Sequence, residues 1–273
     1  MQQLTHLDSR SLSEESLLQV GALTNLQQWV LQGTLSDIAI GPSSVPGLTL
    51  PPSLTSFVLL SPVEAGLLSL APTGLQDLWI ECDISSPAEG PGSFLSGMAR
   101  LQHLTRLLVQ PQWDLELEWP DAGPAYSALT VSSNLVSLEL HNLRLPDECV
   151  WQHVFPATQK LPQLTCLYID DGYRTWGALP PPSAWDAAGV SSLVSCCPNM
   201  SSVDTITLQH GAHVSELEKF KNLTELRVSY CIDSVAAFEQ SLKGLAAVAQ
   251  LRRLHVNLDS DDLSAASLLP LLG

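Results

Sequence analysis

The chain has 273 residues, of which 45% are hydrophobic and only 15% charged, a balance that supports a packed core and excludes global disorder. With 28 acidic residues against 12 basic ones the formal net charge is −16, so phosphate backbones are repelled, and neither nucleic acid nor an anionic membrane is an expected partner. The imbalance is steepest early: before Arg100 the only base is Arg10, set against nine carboxylates.

The opening "MQQLTHLDSRSLSEES" lacks the basic start and apolar run of a signal peptide. "LTHLDS" at Leu4 reads as a degenerate first copy of a pattern that returns throughout the chain. "SLSEESLLQVGAL" has helical spacing and opens on a capping-box signature, Ser11 to Glu14. "LTNLQQWVLQ" then places Leu26, Trp29 and Leu31 at relative positions 1, 4 and 6. A long uncharged stretch lies between Asp37 and Glu64, but Pro42, Pro46, Pro51 and Pro52 argue against a spanning helix.

The pattern continues with Leu54, Phe57 and Leu59; Leu75, Leu78 and Ile80; Leu104, Leu107 and Val109; and Leu135, Leu138 and Leu140. Leu164, Leu167 and Ile169 follow, and then "SSVDTITLQH", which fits less well through Val203, Ile206 and Leu208. "LTELRVSYC" (Leu223 to Cys231) and "QLRRLHVNLD" (Leu251, Leu254, Val256) complete the series. Helically spaced segments separate the copies, among them "DECVWQHVFPATQKL", "SAWDAAGVSSLVSC", "HVSELEKFKNL" and "SVAAFEQSLKGLAAVAQL". Strand then helix about every 28 residues is the layout of a solenoid.

Two repeats carry insertions. "PQWDLELEWPDAGPAY" alternates apolar and acidic residues with period 2, predicting an extra strand. "DDGYRTWGALPPPSAWD" is rich in proline and aromatics, with Tyr173, Trp176 and Trp185. Such loops either carry function or pin themselves to their own repeat through the tryptophans.

The repeat LxxLxLxxN/CxL resembles that of the leucine-rich repeat superfamily, and the resemblance covers nearly the whole chain. It implies an α/β fold, a right-handed solenoid with a curved parallel sheet on the concave face and short helices and turns on the convex face. The expected organisation is one domain over residues 1–273, with about ten irregular repeats. "LVSCCPNMSSV" followed by "LTELRVSYCIDSVAAF" is similar to the cysteine-containing repeats of F-box substrate receptors. There Cys196 or Cys197 would end a convex helix and Cys231 would take the N/C position. Elsewhere that position holds Thr34, Pro62, Asp83, Gln112, Leu143, Gly172, Gly211 and Asp259, so a regular asparagine ladder is absent. A weak first copy and a last segment, "SAASLLPLLG", that reads as an apolar helix without a cover are expected of a fragment, a short gene model, or a subunit whose ends are covered in an assembly.

If positions 4 and 6 face the core, positions 3, 5 and 7 face solvent on the concave side. Position 5 then reads Val30, Val58, Trp79, Leu108, Glu139, Tyr168, Thr207, Arg227 and His255. The first four, with Leu60 from position 7, form an apolar strip expected to be exposed; Glu225 and Arg253 from position 3 join a polar half. Such a strip beside charge reads as a partner-binding surface, and Trp79, Tyr168 and Arg227 are of the residue types that dominate interface energies.

Reactive chemistry is not expected. His210 and His213 lack further metal ligands at a suitable spacing, and Asp259, Asp261 and Asp262 lack the glycine and distal glutamate of a calcium loop. There is no GxSxG elbow, phosphate-cradling glycine loop or HExxH. The six cysteines form no CxxC pair and read as reduced, mostly buried thiols of a cytoplasmic or nuclear protein. The expectation is therefore a non-enzymatic module without cofactor, metal or small-molecule substrate, binding a protein partner. The most specific version is a ubiquitin-ligase substrate receptor. The alternatives are a cytoskeletal or ciliary scaffold subunit, and a sensor fragment of an immune receptor.

Overall fold

A computed structural model describes residues 4–34, 39–81, 84–85, 92–110, 123–141, 150–169, 187–205, 217–231, 245–246 and 248–259. The strands, numbered along the chain, are β1 (His6–Leu12), β2 (Gln28–Thr34), β3 (Ser56–Leu59), β4 (Val63–Glu64), β5 (Asp77–Ile80) and β6 (Ile84–Ser85). They continue with β7 (Arg106–Val109), β8 (Ser137–Leu140), β9 (Cys166–Ile169), β10 (Ser202–Thr205), β11 (Glu225–Cys231) and β12 (Arg253–Asp259). All except β4 and β6 form one ten-stranded sheet in the order β1-β2-β3-β5-β7-β8-β9-β10-β11-β12. Every pair is parallel and sheet neighbours follow chain order. Each connection must therefore carry the chain back to the same edge, which is the coil of a solenoid. β4 and β6 form a second, parallel ladder that Ile40 extends by a bridge to Val63.

Register explains the repeat. Leu7, Trp29, Phe57, Leu78, Leu107, Leu138, Leu167, Val203, Leu226 and Leu254 stand in one row across the sheet. From Trp29 to Leu226 every member is buried. Two residues on, Leu31, Leu59, Ile80, Val109 and Leu140 form a second buried row. Alternation along each strand sends these side chains to one face, and lateral stacking turns them into continuous core stripes. Trp29 and Phe57 stack at 5.2 Å between ring centroids. Leu254, at a core position of the last strand, is 40% exposed.

A second regularity lies just before each strand. The carbonyl of Gln76 accepts from both Thr105 N (2.7 Å) and Arg106 N (3.1 Å), and that of Thr105 accepts from Val136 N (2.7 Å) and Ser137 N (3.1 Å). Where position 2 of the repeat is Thr or Ser, its hydroxyl donates to the same carbonyl: Thr55 to Gln27 at 3.1 Å, Thr105 to Gln76 at 3.2 Å, Thr165 to Val136 at 3.3 Å, Ser201 to Thr165 at 3.0 Å and Thr224 to Ser201 at 3.2 Å. These hydroxyls tie successive repeats together by side chain-to-backbone bonds at the strand entry, satisfying backbone acceptors there.

The convex side is built from short pieces: α1 (Glu14–Val20), α2 (Gly92–Met98), α3 (Ala187–Cys196), 3-10 turns at Ala65–Leu70 and Gly123–Thr130, and a π-type turn at Val150–Val154. Cys196 ends α3 and both Cys196 and Cys197 are fully buried, as the cysteine-containing repeat implies. Burial pushes the Cys197 thiol up, as does its neighbour Cys196, whose hydrogen bond is the larger cause.

Two expectations are corrected. The cap of α1 is Ser13, whose Oγ accepts from Ser16 N at 3.3 Å, and not Ser11. Ser11 instead lies within β1, which runs on to Leu12. In the irregular repeat, Val203 pairs with Leu167 and Leu226 and so holds position 4, not position 1. Met200 is therefore its first apolar residue, and position 5 is Asp204 rather than Thr207. The insertion at 111–122, the loop at 170–186, His210, His213, Thr207, Asp261 and Asp262 lie outside the described residues.

Candidate functional site

The outward face of the sheet is the concave surface. Register aligns Asp8, Val30, Val58, Trp79, Leu108, Glu139, Tyr168, Asp204, Arg227 and His255 in its central row. Adjacent members are about 4.8 Å apart. The expected position-5 residues thus stand side by side, apart from Thr207. Trp79 is 43% exposed, whereas Val30, Val58 and Leu108 are half-buried, since flanking side chains on a parallel sheet shade short aliphatic groups and an indole rises above them. Leu60 continues the ladder one step beyond β3, its N–H donating to Leu31 O at 2.9 Å, and is also half-buried. The apolar run is four strands wide, and of its members only the tryptophan stands exposed above the rest.

Charges on this face pair across neighbouring strands. Arg106 grips Asp77 with two bonds of 2.8 Å, Nε to Oδ1 and a terminal nitrogen to Oδ2. These hydrogen bonds hold the Asp77 carboxyl below the usual carboxylate range, against the opposing effect of partial burial. Arg227 meets Asp204 at 3.0 Å. Arg253 reaches Glu225 at 3.4 Å, with His255 3.9 Å from the same carboxylate. Directly opposed, opposite charges of this kind stabilise strand pairing modestly. Among the residues taken as partner-binding, Arg227 and Arg253 are therefore engaged within the sheet.

Tyr168 lies between the two halves. The His141 imidazole stacks on its ring with centroids 4.0 Å apart. His141 Nε2 lies 3.6 Å from Glu139 Oε2, beyond hydrogen-bond length, and Ser137 Oγ approaches Glu139 Oε1 at 3.2 Å. Cys166 sits half-buried in the same neighbourhood, and burial pushes its thiol up, away from the nucleophilic thiolate. Among the described residues no group of three or more His, Cys, Asp and Glu is placed to hold a metal ion. Among them, too, no helix is long and apolar enough to cross a membrane.

Sequence reasoning missed Asp204, Asp8 and His141. A signal for Asp204 was present: "PNMSSV" at Pro198 parallels "KNLTEL" at Lys221, with Asn199 and Asn222 in equivalent places. Those two asparagines meet in the structure, Asn222 Nδ2 donating to Asn199 Oδ1 at 3.3 Å.

One parallel strand per repeat, a leucine-lined core and a convex side of short helices and turns define an α/β leucine-rich repeat solenoid. The chain is similar to the solved structure of the leucine-rich repeat-containing protein LegL7 from Legionella pneumophila, with 15% identity over 98% of this chain and 90% of that chain and a TM-score of 0.49. No family model matches the chain, and no curated protein sequence matches it.

Proposed function

We propose that this chain is a non-catalytic protein-interaction module that holds a protein partner on the concave face of its sheet. The observation that carries the reading is the apolar run Val30–Val58–Trp79–Leu108, with Trp79 exposed at its centre on a sheet tied by ten strands. A solenoid needs its core rows for folding, but nothing in the repeat requires an exposed indole at position 5, and an exposed aromatic among aliphatics is the usual centre of a protein contact. The partner-binding set we assign is Val30, Val58, Leu60, Trp79, Leu108, Glu139 and Tyr168, with a rim of Arg227 and Arg253, whose charges are already engaged, and His255 beside them.

The narrower reading, a ubiquitin-ligase substrate receptor, draws its support from the buried Cys196–Cys197 pair closing α3. Reduced thiols there also favour a cytoplasmic or nuclear setting. Quantitative co-purification with the tagged full chain tests both, comparing the unmodified protein with Trp79→Ala/Leu108→Ala and with Glu218→Ala, an exposed position outside the sheet. Specific partners lost from the concave variant alone support the module, and a cullin-type adaptor among them supports the receptor. Retention of every partner by a folded Trp79→Ala/Leu108→Ala protein, with scaffold subunits dominating the set, overturns both.

A further inference from the structure

The apolar run is bracketed by acid. In the central row the four apolar residues Val30, Val58, Trp79 and Leu108 are followed by Glu139 on one side and preceded by Asp8 on the other. Asp8 is exposed and Glu139 half-buried. A third carboxylate, Glu81, stands half-buried two residues beyond Trp79 on the same face, its N–H donating to Leu59 O at 2.8 Å. No lysine or arginine within 4.0 Å neutralises these three among the described residues, whereas Asp77 beside them is neutralised by Arg106. Arg10, two residues beyond Asp8, forms no ion pair there among the described residues.

We infer that the occupant of this face is a peptide segment whose apolar stretch is bracketed by basic residues, one for Asp8 and one for Glu139. The inference rests on the proposed interaction role of the face and adds the chemistry of the partner. Five strand spacings separate the two carboxylates, about 24 Å along the sheet, which seven residues of extended chain or sixteen of helix would span. The chain's net charge of −16 draws a cationic segment toward the face from a distance. A second copy of the chain fits poorly: two such faces paired by a two-fold axis set Asp8 of each against Glu139 of the other, carboxylate on carboxylate.

The test uses the full chain and three synthetic fluorescent peptides of equal length with the same central aliphatic run, flanked by arginine on both sides, by arginine on one side, or by glutamate on both. The doubly arginine-flanked peptide is expected to bind tightest and to lose affinity as salt rises. Asp8→Asn/Glu139→Gln should weaken that peptide about tenfold, as two solvent-screened charge contacts would, and leave the glutamate-flanked one unchanged or tighter, never weaker. Trp79→Ala should weaken all three. Equal binding of the three peptides, no response to Asp8→Asn/Glu139→Gln in a protein with unchanged thermal unfolding, or no binding at all would overturn the basic bracket. So would concentration-dependent dimerisation abolished by Trp79→Ala. Loss of partners from Trp79→Ala/Leu108→Ala in the co-purification would then still stand, so the two proposals fail separately.

Discussion

The indole Nε1 of Trp29 donates to the hydroxyl of Ser9, 2.9 Å away, inside the core between the first two strands. Ser9 Oγ donates onward to Val30 O at 3.1 Å. Ser9 occupies the core position held by Leu31, Leu59 and Ile80 in the following repeats, because a buried tryptophan at the neighbouring position needs an acceptor for its N–H. Ser9→Ala leaves that N–H without a partner and should cost about 1–3 kcal/mol of unfolding free energy. In a Trp29→Phe background the same change should cost much less. Urea unfolding of the four proteins measures the coupling; equal costs in the two backgrounds would sink the account.

Val136 interrupts the hydroxyl ladder at the strand entries. It is 39% exposed, and its N–H already donates to Thr105 O at 2.7 Å. Val136→Thr would add a hydroxyl bond to that carbonyl, as Thr165 makes to Val136 O, and should raise stability by about 0.5–1 kcal/mol. The reverse change, Thr165→Val, should lower it by a similar amount, about 0.5–1.5 kcal/mol. Thermal unfolding reads both, and shifts of the same sign would refute the ladder.

Glu64 holds a turn shut. Its Oε2 accepts from Ser43 N at 2.8 Å and its Oε1 from Ser44 N at 2.7 Å. Burial alone would raise its pKa, but the Ser43 and Ser44 hydrogen bonds outweigh it and the carboxyl lies below its ordinary value. A pKa lowered by folding gives stability that is present above the ordinary value and is lost as pH falls through the lowered one. Glu64→Gln should therefore destabilise at neutral pH and flatten the stability profile on the acid side of about pH 5. Gly41 lies against this carboxylate: a Cβ there would overlap Glu64 Cβ and Oε2. Gly41→Ala should thus destabilise in the Glu64 protein and less in Glu64→Gly, which removes both contacts, measured by urea titration at pH 7 and pH 4; an unchanged cost in Glu64→Gly would refute the contact.

Cys196 and Cys197 have no exposed surface. Their carbonyls serve the fold, Cys196 O accepting from Leu161 N at 2.8 Å and Cys197 O from Met200 N at 3.3 Å. Alkylation followed by peptide mapping should find both unlabelled in the native chain and labelled in denaturant. Cys166 should label slowly, since burial keeps it protonated. Labelling of Cys196 or Cys197 faster than Cys166 under native conditions would contradict this packing.

The solenoid was legible because its periodicity is redundant. Leu-x-x-Leu-x-Leu recurs through Leu75, Leu104, Leu135 and Leu164 with little change, and the strand alternation that follows assigns faces without further information. Legibility failed where local pattern was degenerate. "SSVDTITLQH" offers the apolar triplet Val203, Ile206 and Leu208, whereas the fold uses Met200, Val203 and the polar Thr205, and only pairing of Val203 with Leu167 and Leu226 selects between the two registers. The helix start failed for the same reason, since Ser11 and Ser13 both look like caps until β1 claims the first.

The sequence by itself determined the strand-per-repeat architecture, the core rows and the row of side chains on the open face, because each follows from spacing along a single segment. Only the tertiary structure decided which charges on that face remain free. Arg106, Arg227 and Arg253 are engaged by Asp77, Asp204 and Glu225, while among the described residues Asp8, Glu81 and Glu139 have no lysine or arginine beside them, Glu139 having only the His141 ring at 3.6 Å. Whether a charge is spent depends on what stands opposite it in the neighbouring strand. That neighbour lies a whole repeat away along the chain, and loops of unequal length set which residue it is.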